Sequence, residues 1–254
     1  MSDIPQIVIP EKILTMNISS ILDLLLKYPI VTRKLLIIAP LRPNHDEEVA
    51  MNNVAADLEI KAKNVGWDVT YLKGNAATKT NIVNNINNWK PDFIVYYGHS
   101  LNSYIPGQQN NQLQFAITPS NASLLANKTA SITACFTTNS IGVPAIKAGC
   151  VGYLGYKTAF TGVWDSAWIN QKFKDATNAA NIALLNGEKY TEAKKKGYQK
   201  WYSFYQDLVN LQNAYPNSID PTLPGGILAN ANGLDYVGNP NAVARPIGIL
   251  LSGP

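Results

Sequence analysis

The chain predicts an α/β domain built on a mainly parallel sheet, and three observations carry that expectation. Short apolar runs alternate with longer stretches of helical spacing, in the order β-α-β-α-β and then β-α-β-α. The runs are apolar throughout, as in Leu35-Leu-Ile-Ile-Ala39 and Phe93-Ile-Val-Tyr-Tyr97, which is the pattern of strands covered on both faces. One of the two histidines and one of the two cysteines stand at the carboxyl ends of such runs, where α/β folds hold their chemistry.

Residues 1–33 read as a lead-in, in which Ser19 or Ser20 caps a short helix that Pro29 stops. Residues 34–254 read as a single domain. Leu35–Ala39 is its first strand, bounded by Pro40. Glu47–Val65 is a helix: acids open it, Val49, Val54, Leu58 and Ala62 keep near-helical spacing, and Gly66 closes it. Trp67–Leu72 alternates as a second strand. Thr80–Trp89 is a helix with Ile82, Val83, Ile86 and Trp89 facing inward, and Pro91 separates it from the third strand, Phe93–Tyr97. The polar connection Leu101–Lys128 is long for a compact domain, the kind of loop that serves function or moves, and Leu113–Ile117 within it suits a hairpin or edge strand. Ser131–Ala134 is the fourth strand. A helix capped by Ser140, with Pro144 in its first turn, leads to the glycine-rich fifth strand Cys150–Tyr156. Two long helices follow, one with Ile169, Phe173, Ala176, Ala180 and Leu184 on its inner face, the other with Tyr198, Trp201, Tyr205 and Leu208. From about residue 216 the tail is rich in Pro, Gly and Asn and reads as mostly loop, with Ile247–Leu251 as a late edge strand.

The totals exclude several classes. At 254 residues the chain can bury a full core, and 46% hydrophobic with 15% charged residues suits a globular protein. A net charge of +4, with Lys194-Lys195-Lys196 as the only cationic run, gives no case for nucleic acid. Ile18–Leu26 is too short and interrupted to span a bilayer, and the first residues lack the pattern of a signal peptide. Two cysteines in apolar contexts make no disulfide framework. The expectation is therefore a cytoplasmic protein, in which the Asn-x-Ser/Thr triplets at Asn17, Asn121 and Asn127 carry no glycan meaning. No phosphate loop, dinucleotide fingerprint, zinc spacing or calcium loop is present, so no cofactor and no metal are expected. The oligomeric state is not legible.

The chemistry is carried by Phe93-Ile-Val-Tyr-Tyr-Gly-His99-Ser100 and Ala130-Ser-Ile-Thr-Ala-Cys135. A cysteine nucleophile needs a base to make the thiolate and donors for the oxyanion. If the two strands are neighbours, about 4.8 Å apart, His99 and Cys135 come within reach of one another. Gly98 allows a sharp turn beside the histidine. The backbone N–H groups of Ser100 and Cys135 are candidate oxyanion donors. Cys150 opens a strand and reads as core, and His45, in a Pro-Asn loop, reads as surface.

An apolar strand ending in His, followed by one ending in Ala-Cys, resembles the caspase-like cysteine peptidases: caspases, metacaspases, legumain, clostripain and gingipains. The resemblance covers roughly Lys34–Thr161. It implies a caspase-like three-layer αβα sandwich and cleavage of a peptide or protein substrate through an acyl-enzyme, with His99 as general base and Cys135 as nucleophile. Family members usually carry Gly after the histidine, where this chain has Ser100. Several place an acidic residue two positions before the cysteine, where this chain has Thr133, which removes one route to binding a basic P1 side chain. The loop after the fifth strand shapes the S1 pocket in this fold, so Trp164 and Asp165 are candidates for its wall and its charge. Asp165 equally suits the start of the next helix, with Trp164 stapled against it.

Two other functions compete. The same fold with an idle dyad would be a scaffold or binding protein. Gly98-His-Ser-Leu-Asn102 also resembles the nucleophile elbow of α/β-hydrolases, with Ser100 as an esterase nucleophile. That mechanism needs a downstream histidine, whereas His45 lies upstream, and Pro106-Gly107 leave no room for the helix that should follow.

Overall fold

The computed structural model describes residues 32–42, 45–100, 104–109, 112–163 and 165–244. The first apolar run forms β1 (Lys34–Ala39), and helix α1 (Asp46–Asn64) returns the chain to β2 (Asp68–Lys73). Helix α2 (Lys79–Asn84), extended by a π-helical turn over Asn85–Trp89, leads into β3 (Phe93–Tyr97). The long connection contains an antiparallel hairpin, β4 (Ile105–Gln109) and β5 (Gln112–Ile117), and a 3₁₀ segment over Pro119–Leu125. Strand β6 (Thr129–Thr133) is followed by a π turn (Thr138–Gly142) running into α3 (Val143–Lys147), and then by β7 (Gly152–Tyr156). Helices α4 (Ala167–Leu185), α5 (Tyr190–Ala214) and α6 (Leu223–Gly233) come next, and β8 (Leu234–Gly238) ends the series.

The main sheet has the order β2-β1-β3-β6-β7-β8. All pairs are parallel except β7–β8. Strand period 2 divides its side chains between two cores. Leu35, Ile37, Phe93, Val95, Tyr97, Leu154 and Tyr156 pack under α1, α4 and α5. Leu36, Ile38, Ile94, Tyr96, Ala130 and Ile132 pack under α2, α3 and the hairpin. The result is a three-layer α/β sandwich, as the uninterrupted apolar runs require.

Three readings of the sequence change. The tail beyond 216 is not mostly loop: α6 and β8 occupy it, with Pro224 in the first turn of the helix and β8 hydrogen-bonded antiparallel to β7. Gly and Asn mask the helix in the sequence, yet Ile227, Asn230 and Ala231 are buried and packing overrides propensity. Leu113–Ile117, read as a hairpin or edge strand, lies in the second strand of the hairpin β4–β5. Tyr198 faces solvent at 39% exposure, because the buried stripe of α5 runs through Tyr190, Ala193, Gly197, Trp201, Phe204 and Leu208. Ser140 does not cap the helix before β7; it lies inside the π turn and its hydroxyl donates to Phe136 O at 2.8 Å. The readings placed on residues 1–31 and 247–251 lie outside the described residues.

Trp201 ties the α5 face to the sheet. It is fully buried, stacks edge-on with Phe160 and Phe173, and its indole N–H donates to the Tyr156 hydroxyl at 3.0 Å. Trp201→Ala should therefore cost about 3–5 kcal/mol of folding stability, read by chemical denaturation, since it leaves a large cavity and an unsatisfied hydroxyl.

Candidate functional site

The parallel strands β1, β3, β6 and β7 end at Ala39, Tyr97, Thr133 and Tyr156, and the site lies beyond these ends. β3 and β6 are direct neighbours, with Tyr97 opposite Thr133. Two residues further along each strand stand His99 and Cys135. They share the parity of Phe93, Val95 and Tyr97 and of Ser131 and Thr133, so both project to the α1/α4 side of the sheet. There they line one cavity of about 80 Å³ with Gly98, Glu47, Glu48 and Met51 of α1, and Phe160 and Gly162 of the segment after β7.

The two tips are tied to each other and to the sheet. The Ser100 hydroxyl donates to Cys135 O at 2.6 Å, and Gly98 N–H donates to Thr133 O at 3.2 Å. The buried Tyr96 hydroxyl donates to His99 O at 2.8 Å. A Cβ at Gly98 would come within 2.9 Å of that hydroxyl, so glycine is needed there for close approach. The N–H groups of Ser100 and Cys135 make no hydrogen bond among the described residues. The sulfur receives the Phe160 N–H at 3.3 Å and lies 3.8 Å from Phe160 O.

Sequence reasoning missed Glu47. It lies in the first turn of α1, where a helix N-terminus favours a carboxylate. Its Oε1 meets His99 Nε2 at 3.1 Å and His45 Nδ1 at 3.0 Å, so the chain's two histidines converge on one oxygen. The His45 ring, its own backbone N–H and His99 hold the Glu47 carboxyl down to about 2. An ionised carboxylate only accepts hydrogen bonds, so Nε2 of His99 carries the proton and Nδ1 is left as the basic nitrogen. Glu48, next in sequence, is buried and held by Arg42, whose Nη2 is 2.7 Å from Glu48 Oε1. That carboxylate lies 4.0 Å from His99 Nε2. The signal for Glu47 was present: an acidic first turn directly after a strand tip brings carboxylates to the edge of the sheet that carries the histidine.

The other candidates lie elsewhere. Thr133 is buried at 3% exposure and faces α4, away from the cavity. Asp165 is engaged in starting α4: its Oδ1 accepts from Ser166 N, and Ser166 caps the helix by accepting from Ile169 N. Trp164 lies outside the described residues. Among the described residues neither histidine bonds to Ser100, whose hydroxyl donates to the Cys135 carbonyl. Cys150 is remote from the cavity and buried, and burial pushes its thiol up to about 11. His45, read as surface, is 37% exposed at its side chain and bonds to the site through Glu47.

Among the described residues no helix is long and apolar enough to cross a membrane, and no cluster of three or more His, Cys, Asp or Glu side chains is placed to hold a metal ion.

No protein-family model and no curated protein sequence matches the chain. Solved structures do. The chain is similar to the crystal structure of the Arg-specific cysteine proteinase gingipain R (RgpB), at 12% identity and a TM-score of 0.50, over 89% of this chain and 52% of that one. It is also similar to the complex of the Porphyromonas gingivalis RgpB pro- and mature domains, at 11% identity and a TM-score of 0.52, over 89% and 53%. The chain thus spans about half the length of these proteins. At such identity the likeness establishes the fold, the caspase-like sandwich expected from the His and Ala-Cys strands.

The electrostatics of Glu47 can be tested directly. A depressed carboxylate adds stability that is present above its unfolded value near 4.5 and is lost as pH falls toward about 2. NMR titration of the Glu47 carboxyl should give a midpoint near 2, and His45→Ala should raise it toward the ordinary carboxylate range, since His45 is the largest cause of the depression.

Proposed function

We propose that this chain is a cysteine peptidase that cleaves peptide bonds through His99 and Cys135. The observation that carries the reading is the in-register pairing of β3 with β6, which sets an imidazole and a thiol on one face beside one cavity. The gingipain fold agrees with it.

In this reading Cys135 Sγ attacks the scissile carbonyl carbon as its proton passes to Nδ1 of His99. The N–H groups of Ser100 and Cys135 receive the negative charge on the carbonyl oxygen. The C–N bond then breaks, the imidazolium gives its proton to the leaving amine, and a thioester remains on Cys135. Water, deprotonated by His99, hydrolyses the thioester and regenerates the thiol. Glu47 is a positioning residue. Its ionised carboxylate holds the Nε2–H tautomer and stabilises the imidazolium, and the Phe160 N–H supports the thiolate. The substrate is a peptide or protein.

One observation favours the idle scaffold instead: among the described residues the sulfur accepts from the Phe160 N–H and donates toward the Phe160 carbonyl, with no bond to the imidazole. One experiment separates the two. In a mixed peptide library, Cys135→Ala should abolish both cleavage and iodoacetamide labelling, while Cys150→Ala leaves both intact. Labelling of Cys135 is expected in the folded protein, with Cys150 protected because it is buried and its thiol stays protonated. A Cys135 as inert as Cys150 would remove the peptidase reading. Glu47→Gln should slow turnover about ten- to a thousandfold with a smaller effect on KM, because it loosens the tautomer and removes the charge facing the imidazolium.

A further inference from the structure

The residue after the sulfur departs from ordinary backbone geometry. Phe136 has a φ of 55°, in the left-handed region that bulky side chains rarely enter. Both ends of the residue are pinned. Its N–H donates to Thr158 O at 3.0 Å, and its carbonyl accepts from the Ser140 hydroxyl. The pinned conformation leaves the ring 50% exposed, whereas the other five phenylalanines are buried or half-buried. Glycine or asparagine would meet the same backbone demand with less strain and no exposed apolar surface. Neither the strain nor the exposure is explained by the core. Strained residues persist where their surroundings over-determine them, and they gather at active sites and ligand clamps.

The ring is attached one Cα step, about 3.8 Å, from the Cα of Cys135, and it is not part of the cavity lining. The residue next to the sulfur in the chain thus offers an exposed apolar surface outside that cavity. We infer that Phe136 forms the wall of a second subsite, which takes an apolar, preferably aromatic, substrate side chain next to the bond being cut. The inference rests on the peptidase reading and adds a substrate class to it: segments with an apolar residue flanking the scissile bond. An aromatic partner would gain both area burial and the ring–ring geometry that offset or edge-on pairs favour.

The contact can be read on the sulfur without knowing a substrate. The rate of Cys135 alkylation by N-phenethyl iodoacetamide is divided by that of iodoacetamide, so that each variant serves as its own reference. The wild-type ratio should be about three to ten, the gain a single aromatic contact gives. Phe136→Asn tolerates the left-handed backbone and should bring the ratio to about one, while Phe136→Tyr keeps the ring and should keep the ratio. In a peptide library, the wild type should favour apolar residues at one position beside the cut, and Phe136→Asn should lose that preference through KM rather than kcat. A ring serving only the fold would instead lower the thermal midpoint in Phe136→Asn with the ratio unmoved, which overturns the inference. So does a wild-type ratio of one. A Cys135 inert to both reagents sinks the dyad, and this subsite with it. A ratio lost only in Phe136→Asn, without cleavage of any peptide, supports the aromatic contact and overturns proteolysis alone.

Discussion

The parallel register between β3 and β6 is the constraint on which the site depends. Because Tyr97 lies opposite Thr133, the two chains leave the sheet side by side. His99 and Cys135 are both two steps on, and period 2 returns both to the α1/α4 face. A slip of one residue would send the thiol to the opposite core, among Ile132 and Ala134, and leave the imidazole alone at the cavity. Register of this kind is strongly specified here, since both faces of both strands are buried.

The charges around His99 follow from where α1 begins. The helix starts just beyond the tip of β1, so its acidic first turn stands at the same edge of the sheet as the histidine. The two adjacent carboxylates have different fates. Glu48 points inward and is closed off by the Arg42 side chain and backbone N–H, so its charge is already answered. Glu47 stays partly exposed and is met by both imidazoles and its own backbone N–H. That division gives His99 a single dominant acceptor and therefore one tautomer. His45, which would otherwise be a loop residue, meets the same oxygen and is the largest cause of the lowered value of that carboxylate.

Much of the fold was legible because the strands of a buried parallel sheet are written as uninterrupted apolar runs. β1, β3 and α1 were read within a residue of their bounds. The placement of His99 and Cys135 past neighbouring strand ends was legible for the same reason: strand tips are recognisable, and reactive residues at them are few. What escaped has physical causes. α6 is spelled with three glycines, a proline and two asparagines, and only the packing of Ile227 and Ala231 makes it a helix. Glu47 looked like one of three acids serving a helix dipole, and nothing local marks which of the three meets an imidazole across the cleft. Thr133 and Asp165 were assigned by position relative to a motif, whereas burial against α4 and the start of that helix decide where they point.

The rigidity the proposed chemistry needs is built into β3 itself. Consecutive tyrosines at its end point to opposite faces, and each is buried with a hydroxyl that must be satisfied. Burial raises both phenols well above their ordinary value, so at neutral pH they are neutral donors. Tyr96 spends its proton on the His99 carbonyl, and Tyr97 spends its own on Asn178 of α4 while accepting from Asn181. Asn178 in turn donates to Val54 O and Asp57 of α1. The strand that carries the imidazole is thus cross-braced to both helices that wall the cavity's side of the sheet. Phenylalanine at either position would fill the same space but leave the His99 carbonyl or the Asn178 amide without its partner. The hydroxyls are there for positioning, and the hydrophobic core alone would not have required them.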